Sequence, residues 1–323
     1  MQRCDIAVIG GGLAGLHAAA RVAQLGASCV AFVGAAPGGL LLSIESIQDV
    51  PGHPEGIAGY DLGPMAQEAA MDAGTTCLAE EALRIERAGD GWLLTGESTT
   101  VEARAVVLAM GSRLRTLGVP GEERLAGKGV SHCASCDGPM LRGRAVAVVG
   151  GGEAACQEAL TLAAFARIVH LLVRGPALRA RATWQQRVAA EPKIAVRFDS
   201  RVDEILGDTA VNAVRLGDGT TLAVDGVFVY AGLVPAVDLL PGLGADAPAV
   251  ASDGRVLVGS SLHTTTRGLF AAGTLRAGHD GQAASAIADG ATAAEAAHRF
   301  LSAGADVPWP APTETPHAER TPA

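Results

Sequence analysis

Short apolar runs that end in glycine turns recur along this chain. Residues 5–9 form one such run, which leads through residues 10–15 (GGGLAG) into an alanine-rich stretch over residues 16–25. A strand buried on both faces is a continuous apolar run, and glycine permits the sharp turn after it, so this pattern predicts strand, turn and helix. Residues 145–149 and 150–155 (GGGEAA) repeat the arrangement. The chain therefore contains two predicted units of the same kind.

The rest of the chain continues this alternation. The predicted strands cover residues 27–33, 77–86, 91–94, 105–109, 168–173, 224–230 and 269–272, and the other predicted helices cover residues 60–73 and 281–301. Strands that alternate with helices predict an α/β fold in which parallel sheets are covered by helices. A length of 323 residues exceeds what one hydrophobic core usually supports, so two domains are expected.

Composition narrows the class of protein. Apolar residues make up 49% of the chain and aromatic residues only 3%, so the core must consist mainly of Ala, Val and Leu. A net charge of −9 without any run of Lys or Arg argues against a nucleic-acid partner. We expect neither an amino-terminal signal nor a membrane span, and therefore a soluble, cytoplasmic protein. In that reducing compartment a closely spaced pair of cysteines is more often catalytic than structural.

The two glycine turns have the spacing of dinucleotide-binding sites. Gly10, Gly12 and Gly15 follow the pattern G-x-G-x-x-G, which allows a tight turn, a close backbone approach and a pyrophosphate at the helix amino terminus. The duplication predicts either two dinucleotides or one dinucleotide and one vestigial site. Val33 stands where such sites usually carry an acid for the ribose, so the ribose must be held by other groups.

Three arginines follow the second predicted strand of the second unit. Arg174, Arg179 and Arg181 lie where the 2′-phosphate of NADP would need cations. Arginines on a solvated loop are common, so phosphate binding and simple exposure both stay open.

A C-x-x-C motif followed by an acid lies between the two glycine turns. Cys133 and Cys136 can close into a small disulfide, and Asp137 can supply protons to the leaving sulfur. Zinc would require two further ligands, and only His132 is near, so no metal is expected. His132 either lowers the pKa of a neighbouring thiol or simply packs and caps. The remaining cysteines are predicted to be core residues: Cys4, Cys29, Cys77 and Cys156.

Taken together, these motifs resemble the low-molecular-weight thioredoxin reductases over nearly the whole chain, including atypical members with degraded NADPH motifs and dithiol oxidases. The matching segments are residues 10–15, 37–39, 51–52, 109–111, 133–138, 150–155 and 269–273. The resemblance implies two Rossmann-like domains and a homodimer. An FAD domain would comprise residues 1–115 and 245–305, with an inserted NAD(P)H-type domain at 116–244. Composition predicts a mostly disordered tail over residues 306–323.

The resemblance also implies roles for particular residues. Cys136 would face the flavin, Cys133 would exchange with the substrate disulfide, and Asp137 would carry the proton. FAD would be held by Gly10, Gly12, Gly15, Gly38, Gly39, Leu40, Asp49, Ala109, Gly111, Gly273, Thr274, Gln282 and Ala283. NADP would be held by Gly150, Gly152, Ala155, Arg174 and Arg179.

Several positions depart from the family's pattern. Val33 replaces an acid, Leu40 a Gln and Thr274 an Asp, all at positions that serve the flavin. The family's His-Arg-Arg is here Val-Arg-Gly at residues 173–175, and Ala154 replaces a Ser or Thr. Of the two predicted nucleotide sites, the nicotinamide site is therefore the weaker match to the family's pattern.

These departures leave three hypotheses about function. The first is an FAD-dependent disulfide oxidoreductase that takes electrons from NADPH or NADH and acts on a thioredoxin-like protein or a small-molecule disulfide. The second is a nicotinamide-independent flavoenzyme, either a ferredoxin-linked reductase or an oxygen-dependent dithiol oxidase. The third is a degenerate fold kept for binding, against which the intact C-x-x-C argues. Trp309 is expected either to pack on a neighbour or to cover a cofactor ring.

Overall fold

The computed structural model describes residues 1–303 and Trp309. It divides into two compact units. The first unit is formed by Met1–Arg113 together with the described residues from Pro235 onward, and the second unit is formed by Leu114–Val234. Each unit is built around a sheet whose central strands are parallel, with helices beside it, which confirms the α/β class.

The secondary structure follows the predicted alternation. The strands are β1 (Gln2–Ile9), β2 (Cys29–Phe32), β3 (Thr76–Leu78), β4 (Arg84–Ala88), β5 (Gly91–Thr95), β6 (Thr100–Leu108), β7 (Ser112–Leu114), β8 (Val130–Ser131), β9 (Ala145–Val149), β10 (Ile168–Leu172), β11 (Ile194–Arg197), β12 (Val202–Leu206), β13 (Ala213–Leu216), β14 (Thr221–Ala223), β15 (Gly226–Val229), β16 (Leu233–Pro235) and β17 (Leu269–Ala271). The α-helices are α1 (Leu13–Gln24), α2 (Gly59–Asp72), α3 (Ala134–Asp137), α4 (Glu153–Ala163), α5 (Ala182–Ala190) and α6 (Ala283–Ala303). Short 3₁₀ helices cover Gly39–Ser43, Gly138–Leu141, Leu240–Asp246 and Gly273–Leu275.

The first unit contains a sheet in the order β3-β2-β1-β6-β5-β4, with β17 added beside β6. Side chains alternate across β1: Ile6 and Val8 face the core under α1 and α6, whereas Ala7 and Ile9 face the core of the β4–β5 hairpin. Helices α1 and α6 can approach closely because Gly290 has no side chain. A Cβ at this position would stand 2.3 Å from the Ala14 carbonyl oxygen. Strands β1, β6 and β17 are parallel neighbours, so their carboxyl ends meet at one edge of the sheet, where the first glycine turn lies.

The second unit contains a five-stranded parallel sheet in the order β11-β10-β9-β15-β8. Val146 and Val148 of β9 pack under α4 and α5, and Ala147 and Val149 face an antiparallel sheet formed by β12, β13 and β14. This second sheet was not predicted.

One predicted strand is wrong in a way that the sheet order explains. The apolar run at residues 77–86 supplies two strands, β3 and β4, which lie at opposite ends of the sheet path. The chain turns at Glu80, whose carbonyl accepts a hydrogen bond from the Gly34 N–H and whose carboxylate accepts one from the Ser98 N–H at 2.7 Å. A run of apolar residues alone does not reveal such a turn.

The predicted domain limits of 116 and 244 differ from the limits of the second unit, which ends at Val234. Leu240 and Leu243 are buried in the same core as Trp92 of the first unit, so the residues after 234 belong with that unit. Hydrophobic burial sets this boundary.

Trp309 packs on neighbours in the first unit. Its indole N–H donates a hydrogen bond of 2.8 Å to the Thr264 carbonyl oxygen, and its ring makes edge contacts with Phe270 and Phe300. This supports the packing interpretation of that residue. The rest of the predicted tail lies outside the described residues. Across the helices that are described, none combines the length and the apolar character that a membrane span requires.

Candidate active site

The C-x-x-C forms a disulfide at the start of a short helix. Cys133 and Cys136 are bonded, with their Cα atoms 5.3 Å apart. Cys133 caps the amino terminus of α3, and its Sγ accepts a hydrogen bond from the Cys136 N–H at 3.3 Å. A backbone donor at this sulfur stabilises negative charge on it once the disulfide opens. Cys133 is half-buried, whereas Cys136 is exposed and Asp137 is half-buried beside it.

Helix α3 rests on α4, so the redox pair stands on a rigid support. Ala134 is fully buried, and a Cβ at Gly138 would stand 3.0 Å from the Phe165 ring. Beneath α3 lie the buried carboxyl of Glu158 and the Tyr230 side chain. Burial and the nearby Glu158 charge raise the pKa of Tyr230, which therefore stays protonated at neutral pH.

His132 forms a hydrogen bond to the backbone of a neighbouring strand. Its Nδ1 lies 2.9 Å from the Val229 carbonyl oxygen. A carbonyl can only accept, so Nδ1 carries the ring proton and donates it. This hydrogen bond ties the strand before the C-x-x-C to the end of β15.

The other four cysteines lie on strands β1, β2 and β3 and on helix α4. Cys4, Cys29 and Cys156 are buried and Cys77 is half-buried. Burial raises the pKa of Cys4 to about 12 and that of Cys156 to about 11, and it raises the pKa of Cys29 and Cys77 as well. Thiols of this kind are protonated and unreactive near neutral pH.

We therefore expect alkylation to distinguish the two classes of cysteine. After reduction of the native protein, iodoacetamide at pH 8 should label Cys133 and Cys136 within minutes. The four remaining thiols should stay unlabelled, with Cys77 the first of them to react. Peptide mass spectrometry locates the label, and full labelling of all six cysteines in urea is the control. Labelling of Cys4 or Cys29 as fast as Cys136 would contradict this assignment.

The first glycine turn is shaped by contacts that exclude side chains. A Cβ at Gly10 would stand 2.1 Å from the Ala109 carbonyl oxygen, and one at Gly15 would stand 1.9 Å from the Gly10 carbonyl oxygen. Gly12, by contrast, has no atom within 4 Å of its Cβ position, and it begins α1 without any side-chain cap. The structure therefore presents uncapped backbone N–H groups of α1 beside open space, which is the arrangement that binds pyrophosphate.

Residues on the loop after β2 join this turn. The Gly38 N–H donates a hydrogen bond of 2.7 Å to the Gly11 carbonyl oxygen, and the Cβ position of Gly39 is 3.8 Å from the Gly12 Cα. Leu40 follows in the 3₁₀ helix Gly39–Ser43. Its apolar side chain offers no hydrogen bond to a ligand.

A second group of predicted residues meets the first at the carboxyl ends of β6 and β17. The Cβ position of Gly273 is 2.9 Å from the Ala14 Cβ, and that of Gly111 is 3.6 Å from the Thr274 Oγ1. Asp49 accepts a hydrogen bond of 3.2 Å from the Ala284 N–H, at the start of α6 beside Gln282 and Ala283. The structure thus gathers the predicted flavin residues around one edge of the first unit.

Sequence reasoning missed an acid at the end of β2. A Cβ at Gly34 would stand 3.7 Å from the Glu81 Cγ and 4.0 Å from its Oε1. Glu81 comes from the segment after β3. Its exposed carboxylate lies beside the end of β2, where Val33 supplies no acid. No spacing within the glycine motif could have revealed it, because the approach depends on the pairing of β2 with β3.

The second glycine turn repeats the open geometry of the first. Gly152 begins α4 without a side-chain cap and has no atom within 4 Å of its Cβ position. Ala155 fits closely, since its Cβ lies 2.9 Å from the Cβ position of Gly150. The following loop is tied to this turn by the Arg179 N–H, which donates a hydrogen bond of 2.7 Å to the Gly151 carbonyl oxygen.

The three arginines of this loop differ in their surroundings. Arg181 is paired with Glu153, with its Nη2 2.9 Å from Oε2. Arg174 and Arg179 are exposed, and within residues 1–303 their guanidinium groups form no ion pair. Val173, at the first position of the family's His-Arg-Arg, is buried in the core and can offer nothing to a ligand. Over the same residues, no group of three or more His, Cys, Asp or Glu is placed to hold a metal ion.

A glycine turn of the dinucleotide type in each unit, with a redox disulfide in one of them, defines a disulfide oxidoreductase. Residues 4–303 match the family model described as pyridine nucleotide-disulphide oxidoreductase, and the chain belongs to that family.

Within the family the chain is similar to thioredoxin reductases. The enzyme of Treponema pallidum is 34% identical over 92% of this chain and 97% of its own length. That of Mycolicibacterium smegmatis is 37% identical over 92% and 96%. The crystal structure of Lactococcus lactis thioredoxin reductase superposes with a TM-score of 0.88 at 32% identity, covering 93% of this chain and all of that one. The chain is accordingly a thioredoxin reductase-like disulfide oxidoreductase.

Proposed function

We propose that the first unit binds FAD and that Cys133 and Cys136 pass electrons between this flavin and an external disulfide. The observation that carries the proposal is the Cys133–Cys136 disulfide, followed directly by Asp137. The first unit fits FAD because Gly12 leaves open space at the uncapped start of α1, where a pyrophosphate can lie. Glu81 would hold ribose hydroxyls in place of the missing acid at residue 33. When bound, FAD supplies two-electron chemistry that can open or form a disulfide.

The side chains of the C-x-x-C then carry out thiol–disulfide exchange. In the reducing direction, two electrons and two protons open the Cys133–Cys136 bond, and the protons are then held by Asp137 and by the Cys136 thiol. The Cys133 thiolate attacks the external disulfide. A mixed disulfide forms, and one thiolate of the substrate leaves and takes a proton from Asp137. Asp137 next accepts the proton of the Cys136 thiol, and Cys136 attacks the Cys133 sulfur. The internal disulfide is restored, and the second substrate thiolate leaves and takes this proton. Two electrons and two protons have then moved to the substrate.

The substrate proposed here is a thioredoxin-like protein or a small-molecule disulfide. A protein substrate is supported by the similarity to thioredoxin reductases over nearly the full chain. A homodimer and a cytoplasmic location are part of the same proposal.

The electron donor proposed first is NADPH. Its support is the open turn at Gly152 together with the exposed, unpaired guanidinium groups of Arg174 and Arg179 in the described chain. Arginine binds phosphate well because its planar guanidinium can donate two parallel hydrogen bonds. A nicotinamide-independent enzyme is the second candidate. It is favoured by the buried Val173 and by Gly175, which replace two of the family's three phosphate-site residues.

Anaerobic mixing of the flavin-loaded protein with NADPH, and separately with NADH, tests the donor. If NADPH is the donor, the flavin absorption band should bleach within seconds, and R174A with R179A should slow bleaching by NADPH more than by NADH. The cations recognise only the 2′-phosphate, so the two nucleotides provide a matched comparison.

Lack of bleaching with either nucleotide would favour the second candidate. Reduced ferredoxin, or oxygen together with a small dithiol, would then be tried as the partner on the same sample. Protein that takes up no flavin at all would contradict the proposal as a whole.

A further inference from the structure

The loop formed by residues 273–283 carries proposed flavin contacts at both of its ends. Gly273 and Thr274 stand at its start, and Gln282 and Ala283 stand at its end. The conformation of this loop therefore decides whether the two pairs can act on one ligand together. Two sets of polar contacts fix that conformation.

The first set holds the start of the loop. Asp289 of α6 is buried and its Oδ2 accepts a hydrogen bond of 2.9 Å from the Gly273 N–H. The same carboxylate receives two bonds from Arg276, at 2.6 and 2.8 Å. Arg255 adds a bond of 3.3 Å from its Nε to the Thr274 carbonyl oxygen. Together these contacts clamp the turn at Gly273 against α6.

The second set holds the end of the loop, and His279 is its central residue. The imidazole is 1% exposed, and its Nδ1 accepts a hydrogen bond of 2.8 Å from the Gly281 N–H. Asp280 supports the same segment by accepting a hydrogen bond of 2.9 Å from the Gln282 N–H. The backbone just before the predicted contacts Gln282 and Ala283 is thereby fixed.

This geometry also fixes the protonation state of the ring. Because Nδ1 accepts a hydrogen bond, it carries no proton, and the single proton of the neutral ring must be on Nε2. Nε2 is buried without a hydrogen-bond partner in the described chain, and the Asp289 Oδ2 stands 3.9 Å away. A second proton would turn Nδ1 into a donor that faces the Gly281 N–H, and this bond would be lost.

The charges around the ring favour the neutral form. Burial lowers the pKa of His279, and the positive charges of Arg276 and Arg255 act in the same direction. The carboxylates of Asp289 and Asp280 oppose them. With the loop open, His279 would have the ordinary pKa of about 6.5. The closed loop thus binds fewer protons, so its stability is complete above about pH 6.5 and falls as the pH drops towards the lowered pKa, by at most about tenfold per pH unit.

We propose that His279 is a positioning residue for the flavin-binding loop 273–283, that it acts only as the neutral imidazole, and that the protein therefore releases FAD faster in acid. This inference rests on the proposed binding of FAD by the first unit. It assigns a function to a histidine outside the glycine motifs and the C-x-x-C.

The test measures flavin release from the holoenzyme at pH 7.5 and 5.5, followed by the rise in free-flavin fluorescence. The wild type should release FAD up to about tenfold faster at pH 5.5. His279→Asn keeps an acceptor for the Gly281 N–H, since the Asn Oδ1 takes the place of Nδ1, but it cannot titrate. This variant should release FAD slowly at both pH values. His279→Ala lacks the acceptor and should release FAD fast at both.

Matched measurements separate this inference from general effects of acid. His298→Asn removes a histidine from α6 of the same unit and should keep the acid response of the wild type. Thermal unfolding of the His279→Ala apoprotein at pH 7.5 shows whether its fast release reflects a loose loop or an unfolded unit. If His279→Ala is unfolded, the inference is tested by the acid response of FAD release alone, which wild type should show and His279→Asn should lack.

Three outcomes would overturn the inference. The first is an acid response in His279→Asn equal to that of the wild type. The second is a wild type with no acid response. The third is slow release by His279→Ala at pH 7.5. Failure of the proposed function itself would look different, because the wild type would then bind no FAD even at pH 7.5.

Discussion

Replacing Cys136 by Ser is expected to abolish disulfide turnover while FAD stays bound. The hydroxyl of Ser cannot form or break the bond to Cys133, so electrons have no path to an external disulfide. Loss of one member of a catalytic unit that acts as a whole commonly costs ~10³-fold or more in rate. The measurement is made anaerobically on photoreduced holoenzyme: a disulfide is added, and reoxidation of the flavin is followed by its absorption. This assay does not depend on the natural electron donor.

A matched cysteine variant controls for loss of a thiol. Cys77→Ser changes a half-buried cysteine on β3 of the first unit and should leave reoxidation by disulfide unaffected. Both variants should retain flavin in stoichiometric amount, as judged by the absorbance ratio at the flavin and protein bands. If C136S reoxidised at the wild-type rate, the C-x-x-C would have to be removed from the mechanism.

The strand, turn and helix units could be predicted because their causes are local. The apolar run of β1, the sterically crowded Gly10 and the small residues of α1 lie next to one another in sequence. The same holds for β9, Gly150 and α4. In both units the chemistry of each residue and its immediate neighbours is enough to predict the element.

The features that sequence reasoning missed depend on contacts between distant segments. Glu81 approaches Gly34 only because β3 pairs with β2, and Asp289 reaches Gly273 only because α6 packs against α1. The predicted strand at residues 77–86 failed for the same reason, since its two halves pair at opposite ends of one sheet. Local pattern does not contain that information.

The departures from the family's pattern have a similar explanation. Val33, Leu40 and Thr274 read as lost flavin contacts when each position is considered alone. The structure shows that an acid from another segment, Glu81, lies close to the first of these positions. A site can thus keep its charges while the residues that supply them change, and a motif search that inspects fixed positions would miss the exchange.

Replacing Gly12 by Ala should weaken FAD binding by about tenfold to a hundredfold and leave the fold intact. Gly12 has φ −81° and ψ 178°, which Ala adopts readily, and its Cβ would meet no protein atom within 4 Å. The apoprotein should therefore unfold within a few degrees of the wild type. The added methyl group would occupy the space that a pyrophosphate needs, and forced overpacking of this kind costs about 1–3 kcal/mol. Titration of the apoprotein with FAD measures the loss.

Two further glycine variants make this prediction specific to the ligand. Gly152→Ala places the same methyl group at the start of α4, where the backbone has φ −93° and ψ −175° and the Cβ position is equally open, so FAD affinity should not change. Gly15→Ala forces a Cβ to within 1.9 Å of the Gly10 carbonyl oxygen, so it should lower the unfolding temperature of the apoprotein as well as FAD affinity. If Gly12→Ala bound FAD as tightly as the wild type, the pyrophosphate could not lie at the start of α1. The flavin would then have to be sought elsewhere in the first unit.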